Sequence, residues 1–165
     1  MPKELFGTDG IRGIPGQYPL DDVTLFRLGR VLGTYLSRSH TRPRALLGMD
    51  TRESGPRIAG AIAAGFAGTQ TETSFAGIIT TPGVACLVRK EGFSAGVVIS
   101  ASHNPFHDNG VKFFSSAGMK FPDDIEVELE RKILKNHDHA AQPLTMAPDA
   151  ALDEDYLEFL AGCAI

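Results

Sequence analysis

The chain has 165 residues, of which 42% are hydrophobic, and a net charge of −4. A chain of this length buries one core, so we expect one main domain. The sequence has no long basic block, which argues against a nucleic-acid partner or an anionic membrane surface. It also lacks a run of roughly 20 apolar residues, the length of a membrane-spanning helix. Cys86 and Cys163 form no disulfide framework, so we expect a soluble, cytoplasmic protein.

The N-terminal part of the chain contains a glycine-rich run, Phe6–Gly13, which includes Arg12. Glycine lets the backbone approach a ligand closely, and the guanidinium of arginine presents a planar fork that suits an anion. Taken alone, a glycine-rich turn with an exposed arginine explains this run more simply. We therefore expect a turn here and keep Arg12 as a candidate anion ligand.

Helical and strand patterns then alternate along the chain. The predicted elements are a helix over 21–38 capped by Asp21 or Asp22, a strand at Arg44–Met49, an alanine-rich helix over 56–69, a strand at Thr71–Ile79, a short helix over 84–91 and a buried strand at Val97–Ile99. This alternation predicts an α/β fold, a three-layer helix–sheet–helix sandwich with a mixed, mostly parallel sheet of about four strands. In the polar loop Asp50–Gly55, we interpret Arg52 as loop structure and Ser54 as a helix cap.

The segment Gly96–Pro105 places Ser102, His103 and Asn104 where an apolar, β-branched strand stops. Polar side chains at the end of such a strand lie at the rim of the sheet, the usual position of a site in α/β proteins. A turn is predicted at residues 108–110 and a second strand at 111–114, which returns Lys112 toward Ser102. We therefore expect the candidate site at this loop.

Ser102 is a candidate nucleophile or covalent carrier of phosphate. His103, Asn104, loop amides and Lys112 supply the hydrogen-bond donors that a phosphate group needs. A loop serine that bonds its own backbone is the ordinary alternative. A Ser-His-Asp hydrolase is poorly supported, because His103 adjoins Ser102 and neither a GxSxG pattern nor an orienting carboxylate is evident.

Lys112 is a candidate general acid or base, or an electrostatic clamp on a phosphoryl group. Strand alternation places it on the face opposite Val111 and Phe113, although a solvent-facing strand lysine is the plain alternative. We expect Asn109 and Gly110 to serve backbone geometry, since both residue types tolerate positive φ.

The C-terminal third begins with an amphipathic helix over residues 122–136. A polar stretch with two prolines follows, and another helical pattern begins at Leu152. We therefore expect a domain over residues 1–136, a linker over 137–151 and the start of a second domain at 152–165, in a truncated chain.

Three segments together resemble the α-D-phosphohexomutase superfamily and, within it, the bacterial phosphoglucosamine mutases. They are Phe6–Gly13, Asp50–Gly55 and Ile99–Ser115, and the resemblance runs in the same order from residue 4 to about 135. It implies a phosphoserine at Ser102 that gives its phosphoryl group to a hexosamine monophosphate, forms a bound 1,6-bisphosphate and receives the other phosphate. The net reaction would interconvert glucosamine 6-phosphate and glucosamine 1-phosphate.

The resemblance also implies roles for the neighbours of Ser102. Lys112 would transfer protons, and His103 and Arg12 would shape the phosphate environment. Mg²⁺ would bind a phosphoryl oxygen on Ser102, with glucosamine 1,6-bisphosphate as intermediate and activator. Members of the family are more than twice as long, so the other metal ligands and the sugar-selecting loop are expected outside this chain.

We therefore expect the 165 residues alone to show no mutase turnover, and the full-length protein to be a possible homodimer. A phosphomannomutase or phosphoglucomutase is the near alternative. A non-catalytic module that binds a sugar phosphate is the alternative from a different class.

Overall fold

Helices and strands alternate as the sequence predicts, and the computed structural model describes them over residues 4–163. The strands are β1 (Ile11–Gly13), β2 (Arg44–Met49), β3 (Glu72–Ile78), β4 (Ala95–Ile99) and β5 (Asn109–Ser115). The helices are α1 (Asp22–Leu36), α2 (Gly55–Ala67), α3 (Thr81–Lys90), α4 (Asp123–Lys135) and α5 (Ala150–Cys163). Every predicted element is present, and β1 is an addition.

The strands form one mixed sheet in the order β1-β5-β4-β2-β3. β2 pairs in parallel with both β3 and β4, whereas β5 is antiparallel to β4 and to β1. Four strands therefore share one direction and β5 opposes them, which confirms a mixed, mostly parallel sheet. The sheet has five strands rather than about four, because part of the expected glycine-rich turn pairs with β5 as β1.

The two faces of the sheet enter two separate hydrophobic clusters. Leu47 and Val97 pack with residues of α1, α2 and α4, whereas their neighbours Leu46 and Val98 pack with α3 and α5. Successive side chains of a strand point to opposite faces, so each central strand supplies both clusters. The predicted three-layer sandwich is therefore confirmed.

Polar side chains cap the first turns of two helices, α1 and α3. Oδ1 of Asp21 accepts from the backbone N–H of Val23 and Thr24 at 3.1 and 3.0 Å, which starts α1. α3 begins earlier than expected because Oγ1 of Thr80 accepts from the N–H of Gly83 at 3.1 Å. This cap adds a first turn to the helix, before the apolar residues whose spacing predicted it.

The N-terminal segment is held by a buried carboxylate of α4. Glu130, only 6% exposed, accepts from the backbone N–H groups of Glu4, Leu5 and Phe6 at 2.8, 2.7 and 2.8 Å. A carboxylate has enough lone pairs for all three bonds. Glu130 therefore fixes the start of the segment that continues into β1.

Residues 136–149 contain no helix or strand, and α5 follows them. Within α5, Leu152 is buried in the cluster of α3, and the hydroxyl of Tyr156 lies 3.2 Å from Oγ1 of Thr80. α5 thus packs on the same face of the sheet as α3, and the division into a linker and a second domain stays a prediction. None of the described helices is both long and apolar enough to cross a membrane.

Candidate active site

β4 ends at Ile99 and is followed by residues 100–108, which we call the serine loop. Ser102 in this loop is exposed, so a ligand can reach its hydroxyl. Its backbone has a φ of 57°, and among residues 4–163 no other non-glycine residue has a positive φ. The left-handed conformation costs a residue with a Cβ about 1–2 kcal/mol, so surrounding contacts must hold Ser102 in place.

Two contacts fix the backbone of Ser102 from its two sides. Its N–H donates to Oγ of Ser100 at 3.0 Å, and its carbonyl accepts from Nη2 of Arg52 at 3.2 Å. The peptide groups before and after Ser102 are therefore both restrained. The strained residue is the one that the sequence singles out as a phosphate carrier.

Arg52 lies beneath the serine loop and holds several of its carbonyls. Nη2 also donates to the carbonyl of Asn104 at 2.9 Å, and Nη1 donates to the carbonyls of Pro105 and Asp108 at 2.6 and 2.9 Å. Nε donates to Oδ2 of Asp50 at 3.0 Å. The interpretation of Arg52 as loop structure therefore holds, and Arg52 organises the neighbouring serine loop as well as bonding Asp50 in its own loop.

This position follows from the sheet topology. β2 and β4 are adjacent and parallel, so the loops that follow them meet at the same edge of the sheet. The N–H of Asp50, directly after β2, donates to the carbonyl of Ile99 at 3.0 Å. The sequence contains a signal that the two loops could meet, since Asp50 and Arg52 follow one predicted strand and Ser102 follows another. The partners of Arg52 were not predictable, because they depend on which strands are neighbours in the sheet.

Asn109 and Gly110 differ from the prediction. Neither has a positive φ, and no turn occurs there because both already belong to β5 and pair with β1. Asn109 is fully buried, and its Nδ2 donates to Oγ of Ser54 at 2.9 Å. Ser54 occupies the N-cap position of α2, yet its hydroxyl makes no capping bond to that helix. The two side chains instead join the end of the serine loop to the β2–α2 loop.

Lys112 lies on the expected face of β5. Its strand partner is Val98, whereas Val111 and Phe113 enter the opposite cluster. The ammonium of Lys112, whose side chain is 18% exposed, contacts Oδ2 of Asp9 at 3.1 Å. The predicted alternation is therefore confirmed, and Asp9 is a site residue that sequence reasoning missed.

Asp9 joins two of the candidate cations. Its Oδ2 also accepts from Nη2 of Arg12 at 3.1 Å, and Nη1 of Arg12 donates to Oδ1 of Asn104 at 2.7 Å. The hydrogen bond from Lys112 and its charge, together with Arg12, lower the pKa of Asp9 below its ordinary value of 3.8. The chain of contacts therefore runs from Lys112 through Asp9 and Arg12 to the serine loop.

The side chains closest to the hydroxyl of Ser102 complete the geometry. Nδ1 of His103 lies 3.4 Å from Oγ of Ser102, a long contact, and Asn104 is tied to Asp108 by a bond of 3.0 Å from its Nδ2. Within residues 4–163, Lys112 bonds Asp9 and makes no hydrogen bond to Ser102. Nε of Arg12 is buried without a hydrogen-bond partner among the described residues, so that guanidinium has a free donor.

Gly10 permits the close approach of the N-terminal run to β5. Its φ is 96°, and a Cβ there would lie 2.3 Å from the carbonyl oxygen of Val111. A residue with a side chain would therefore clash with the strand and strain the backbone. The glycine places Asp9 within reach of Lys112.

An open groove of about 770 Å³ lies beside the serine loop. Asn104, Phe106 and His107 line it from the loop, and Ile14 and Leu20 line it from the segment before α1. Phe106 is 89% exposed. The groove provides space for a small ligand next to Asn104.

The described residues do not by themselves form a metal site. Residues 4–163 contain no group of three or more His, Cys, Asp or Glu side chains that could hold a metal ion. The carboxylates nearest the serine loop, Asp9, Asp50 and Asp108, are each engaged with an arginine, a lysine or an amide. This donor set does not fit Mg²⁺, which takes oxygen ligands in near-octahedral geometry.

A family model described as "Phosphoglucomutase/phosphomannomutase, alpha/beta/alpha domain I" matches residues 3–140. That range includes β1 to β5, the serine loop, Arg12, Arg52 and Lys112. The match therefore covers the whole candidate site.

Two curated relatives are named phosphoglucosamine mutase. That of Solibacter usitatus is 49% identical over 164 residues, which cover 98% of this chain and 37% of the relative. That of Koribacter versatilis is 47% identical over 165 residues, which cover 96% of this chain and 36% of the relative. The chain thus spans little more than a third of the length of these relatives.

A solved structure supports the fold. The crystal structure of a phosphoglucomutase/phosphomannomutase family protein from Burkholderia thailandensis is similar, with a TM-score of 0.74 and 24% identity. The similarity covers 96% of this chain and 35% of that one. The sandwich described above is therefore an architecture that solved relatives share.

Proposed function

Since this chain belongs to the phosphoglucomutase/phosphomannomutase family, we propose that Ser102 is the phosphoryl carrier of a sugar-phosphate mutase. The observation that carries the proposal is the exposed hydroxyl of Ser102, on a left-handed residue that Ser100 and Arg52 restrain from both sides. Strained backbone that the surrounding structure over-determines is concentrated at functional sites. A chemical role for Ser102 accounts for that strain.

In the proposed step, a hydroxyl of the sugar monophosphate attacks the phosphorus atom carried by Ser102. The bond from phosphorus to Oγ breaks as the bond to the sugar oxygen forms, and a sugar bisphosphate results. The departing Oγ takes up a proton, and the attacking hydroxyl releases one. Phosphoryl transfer of this kind depends mainly on positioning and on the neutralisation of charge, which is what a restrained loop with nearby cations provides.

Lys112 is the proposed proton-transfer residue. Its Nζ contacts Oδ2 of Asp9 at 3.1 Å, and an ammonium can donate a proton to the departing oxygen. In the reverse direction, the same group would accept that proton. The contact of 3.1 Å with Asp9 must then loosen for the ammonium to turn toward Ser102.

Arg12, His103 and Asn104 are the proposed phosphate-environment residues. Nε of Arg12 is a buried donor without a partner among the described residues, and a phosphate oxygen would satisfy it. His103 lies beside the hydroxyl of Ser102. Asn104 is held by both Arg12 and Asp108, so its position is set before a ligand binds.

A metal cofactor is suggested by the family, and we propose Mg²⁺ as that metal. Within residues 4–163 the chain would offer only a phosphoryl oxygen on Ser102 as a ligand, because its carboxylates form no suitable cluster. The remaining ligands would come from outside the described residues. No step above depends on the metal.

The proposed substrates are glucosamine 6-phosphate and glucosamine 1-phosphate, with glucosamine 1,6-bisphosphate between them. The names of the similar relatives from Solibacter usitatus and Koribacter versatilis support this choice. The activity is proposed for a protein that contains this chain, since the chain spans little more than a third of those relatives. The free thiols of Cys86 and Cys163 support a reducing, cytoplasmic compartment.

The proposal is tested by incubating a protein that contains this chain together with the further segments expected of the family with radiolabelled glucosamine 1,6-bisphosphate. We expect covalent label on the wild type and on the control variant Ser115→Ala, and no label on Ser102→Ala. Ser115 is a matched control because its hydroxyl lies on β5 and bonds the carbonyl of Met119. Reversible binding without label would favour a non-catalytic sugar-phosphate module, and reaction of Ser102 with a fluorophosphonate would favour a hydrolase.

A further inference from the structure

We infer that Arg52 is a positioning residue that sets the orientation of Ser102 for phosphoryl transfer. Arg52 contacts the backbone carbonyl of Ser102 and makes no hydrogen bond to its hydroxyl among residues 4–163. It therefore acts through the shape of the loop. The role rests on the proposed function, which gives that shape its chemical purpose.

The guanidinium of Arg52 uses all five of its N–H donors. One bonds Asp50, and the other four bond loop carbonyls, those of Ser102, Asn104, Pro105 and Asp108. Four carbonyls within seven consecutive residues therefore converge on one planar group. A loop held at so many points has its conformation set by the position of that plane.

Asp50 fixes the plane relative to the sheet. Its Oδ2 accepts from Nε of Arg52 at 3.0 Å, and its Oδ1 accepts from the backbone N–H of Arg52 at 3.1 Å. The backbone N–H of Asp50 donates to the carbonyl of Ile99, the last residue of β4. The side chain of Arg52 is only 10% exposed. The loop is thus aligned with the strand from which it emerges.

Only arginine can make this set of contacts. A lysine ammonium carries three donors on one tetrahedral nitrogen, whereas the guanidinium spreads five over a rigid plane. Arg52→Lys therefore keeps the positive charge and removes most of the convergent bonds. Arg57→Lys is a matched control, because Arg57 is an exposed arginine of α2 that bonds Asp22 and, within residues 4–163, forms no hydrogen bond or ion pair with the serine loop.

The first measurement is amide hydrogen exchange on the wild-type chain and both variants. In Arg52→Lys, the amides of Ser102 and Asn104 are expected to exchange about tenfold faster or more. Amides of β2 and β4 are expected to stay within about twofold of wild type, and Arg57→Lys to match wild type throughout. Unchanged exchange at Ser102 overturns the inference. Equal acceleration in β2 and β4 also overturns it, because the effect is then global.

The second measurement is the rate at which radiolabelled glucosamine 1,6-bisphosphate phosphorylates a protein that contains this chain and the further segments expected of the family. In Arg52→Lys, the rate at saturating bisphosphate is expected to fall about 100-fold, with little change in the half-saturating concentration. A wild-type rate in Arg52→Lys refutes the positioning role of Arg52 and leaves the proposed function of Ser102 unaffected. A wild-type protein that contains this chain and takes up no label refutes the proposed function, while hydrogen exchange still shows whether Arg52 holds the loop.

Asp50→Asn provides a second variant if Arg52→Lys does not fold. The asparagine side chain has nearly the same shape and keeps one oxygen acceptor for Arg52. It removes the negative charge that orients the guanidinium. We expect exchange at Ser102 and the phosphorylation rate to change in the same direction as in Arg52→Lys, and by less. Wild-type values for both would contradict a positioning role for the pair.

Discussion

Glu130→Gln tests how firmly the site is attached to the rest of the fold. Glu130 is 6% exposed and accepts three backbone N–H groups of the segment that leads to Asp9 and Arg12. Oε2 serves Leu5 and Phe6, and Oε1 serves Glu4. Glutamine has nearly the same shape, but one of its two oxygens is replaced by a donor.

The expected loss of stability follows from the three bonds. A hydrogen bond to a charged group contributes about 2 kcal/mol, and a neutral one about 1 kcal/mol. The two bonds that the substituted glutamine can keep therefore lose about 1 kcal/mol each. The bond to Glu4 is lost, because a donor then faces a donor, which costs about 2 kcal/mol. The total is about 4 kcal/mol, or roughly 8–16 °C in Tm for a chain of this size.

The assay is urea denaturation followed by circular dichroism, with Glu128→Gln as the control. Glu128 lies on the same helix and pairs with Arg38 and Lys132 at the surface, so its replacement is expected to cost at most about 0.5 kcal/mol. A loss below about 0.5 kcal/mol in Glu130→Gln would show that water replaces Glu130 at no cost. The attachment of the N-terminal segment would then need another explanation.

Three other changes give distinct outcomes. Gly10→Ala is expected to lower stability by more than about 2 kcal/mol in urea denaturation, because its Cβ would lie 2.3 Å from the carbonyl oxygen of Val111. Ser102→Gly is expected to be about 0.5–1 kcal/mol more stable than Ser102→Ala, since glycine adopts a φ of 57° without the cost that a Cβ imposes, and equal stability would argue against strain at Ser102. In Lys112→Met, the pKa of Asp9, measured by NMR titration, is expected to rise toward 3.8. Because the folded-state pKa of Asp9 is lowered, the stability from this pair is present above pH 3.8 and is lost as the pH falls below it, so the wild type and Lys112→Met should differ less in acid.

Elements with a strong local pattern were predictable from the sequence. β2 has the predicted bounds, Arg44–Met49, because an apolar run stands between Pro43 and the polar residue Asp50. The position of Ser102 at the rim of the sheet was also predictable, since the strand that leads to it is continuously apolar. In each case the signal lies within a few neighbouring residues.

Features that depend on distant partners were not predictable in this way. β1 is a strand of three residues whose pairing with β5 defines it, and the glycines of the run Phe6–Gly13, which contains β1, favour a turn when they are read alone. The assignment of Asn109 and Gly110 to a turn was wrong for the same reason, because pairing with β1 overrides their local preference. Asn-Gly is a typical turn sequence only where no neighbouring strand pairs with it.

The candidate site shows the same division. Ser102, His103, Asn104, Lys112 and Arg12 are chemically distinctive and were singled out, while their catalytic roles stay predictions. Asp9 and Arg52 were not singled out for the site. Asp9 contacts Lys112, which is 103 positions away, and Arg52 contacts carbonyls 50–56 positions away. Backbone carbonyls have no signature in a sequence, so only the structure reveals them as partners.

The most direct test of the account is whether the phosphate on Ser102 can be transferred to a sugar monophosphate. A protein that contains this chain and the further segments expected of the family is first labelled with radioactive glucosamine 1,6-bisphosphate, separated from it and then mixed with glucosamine 6-phosphate. We predict that the label leaves the protein and appears in glucosamine 1,6-bisphosphate. Label that stays on Ser102, or that is released as inorganic phosphate, would contradict the role of this serine as a carrier.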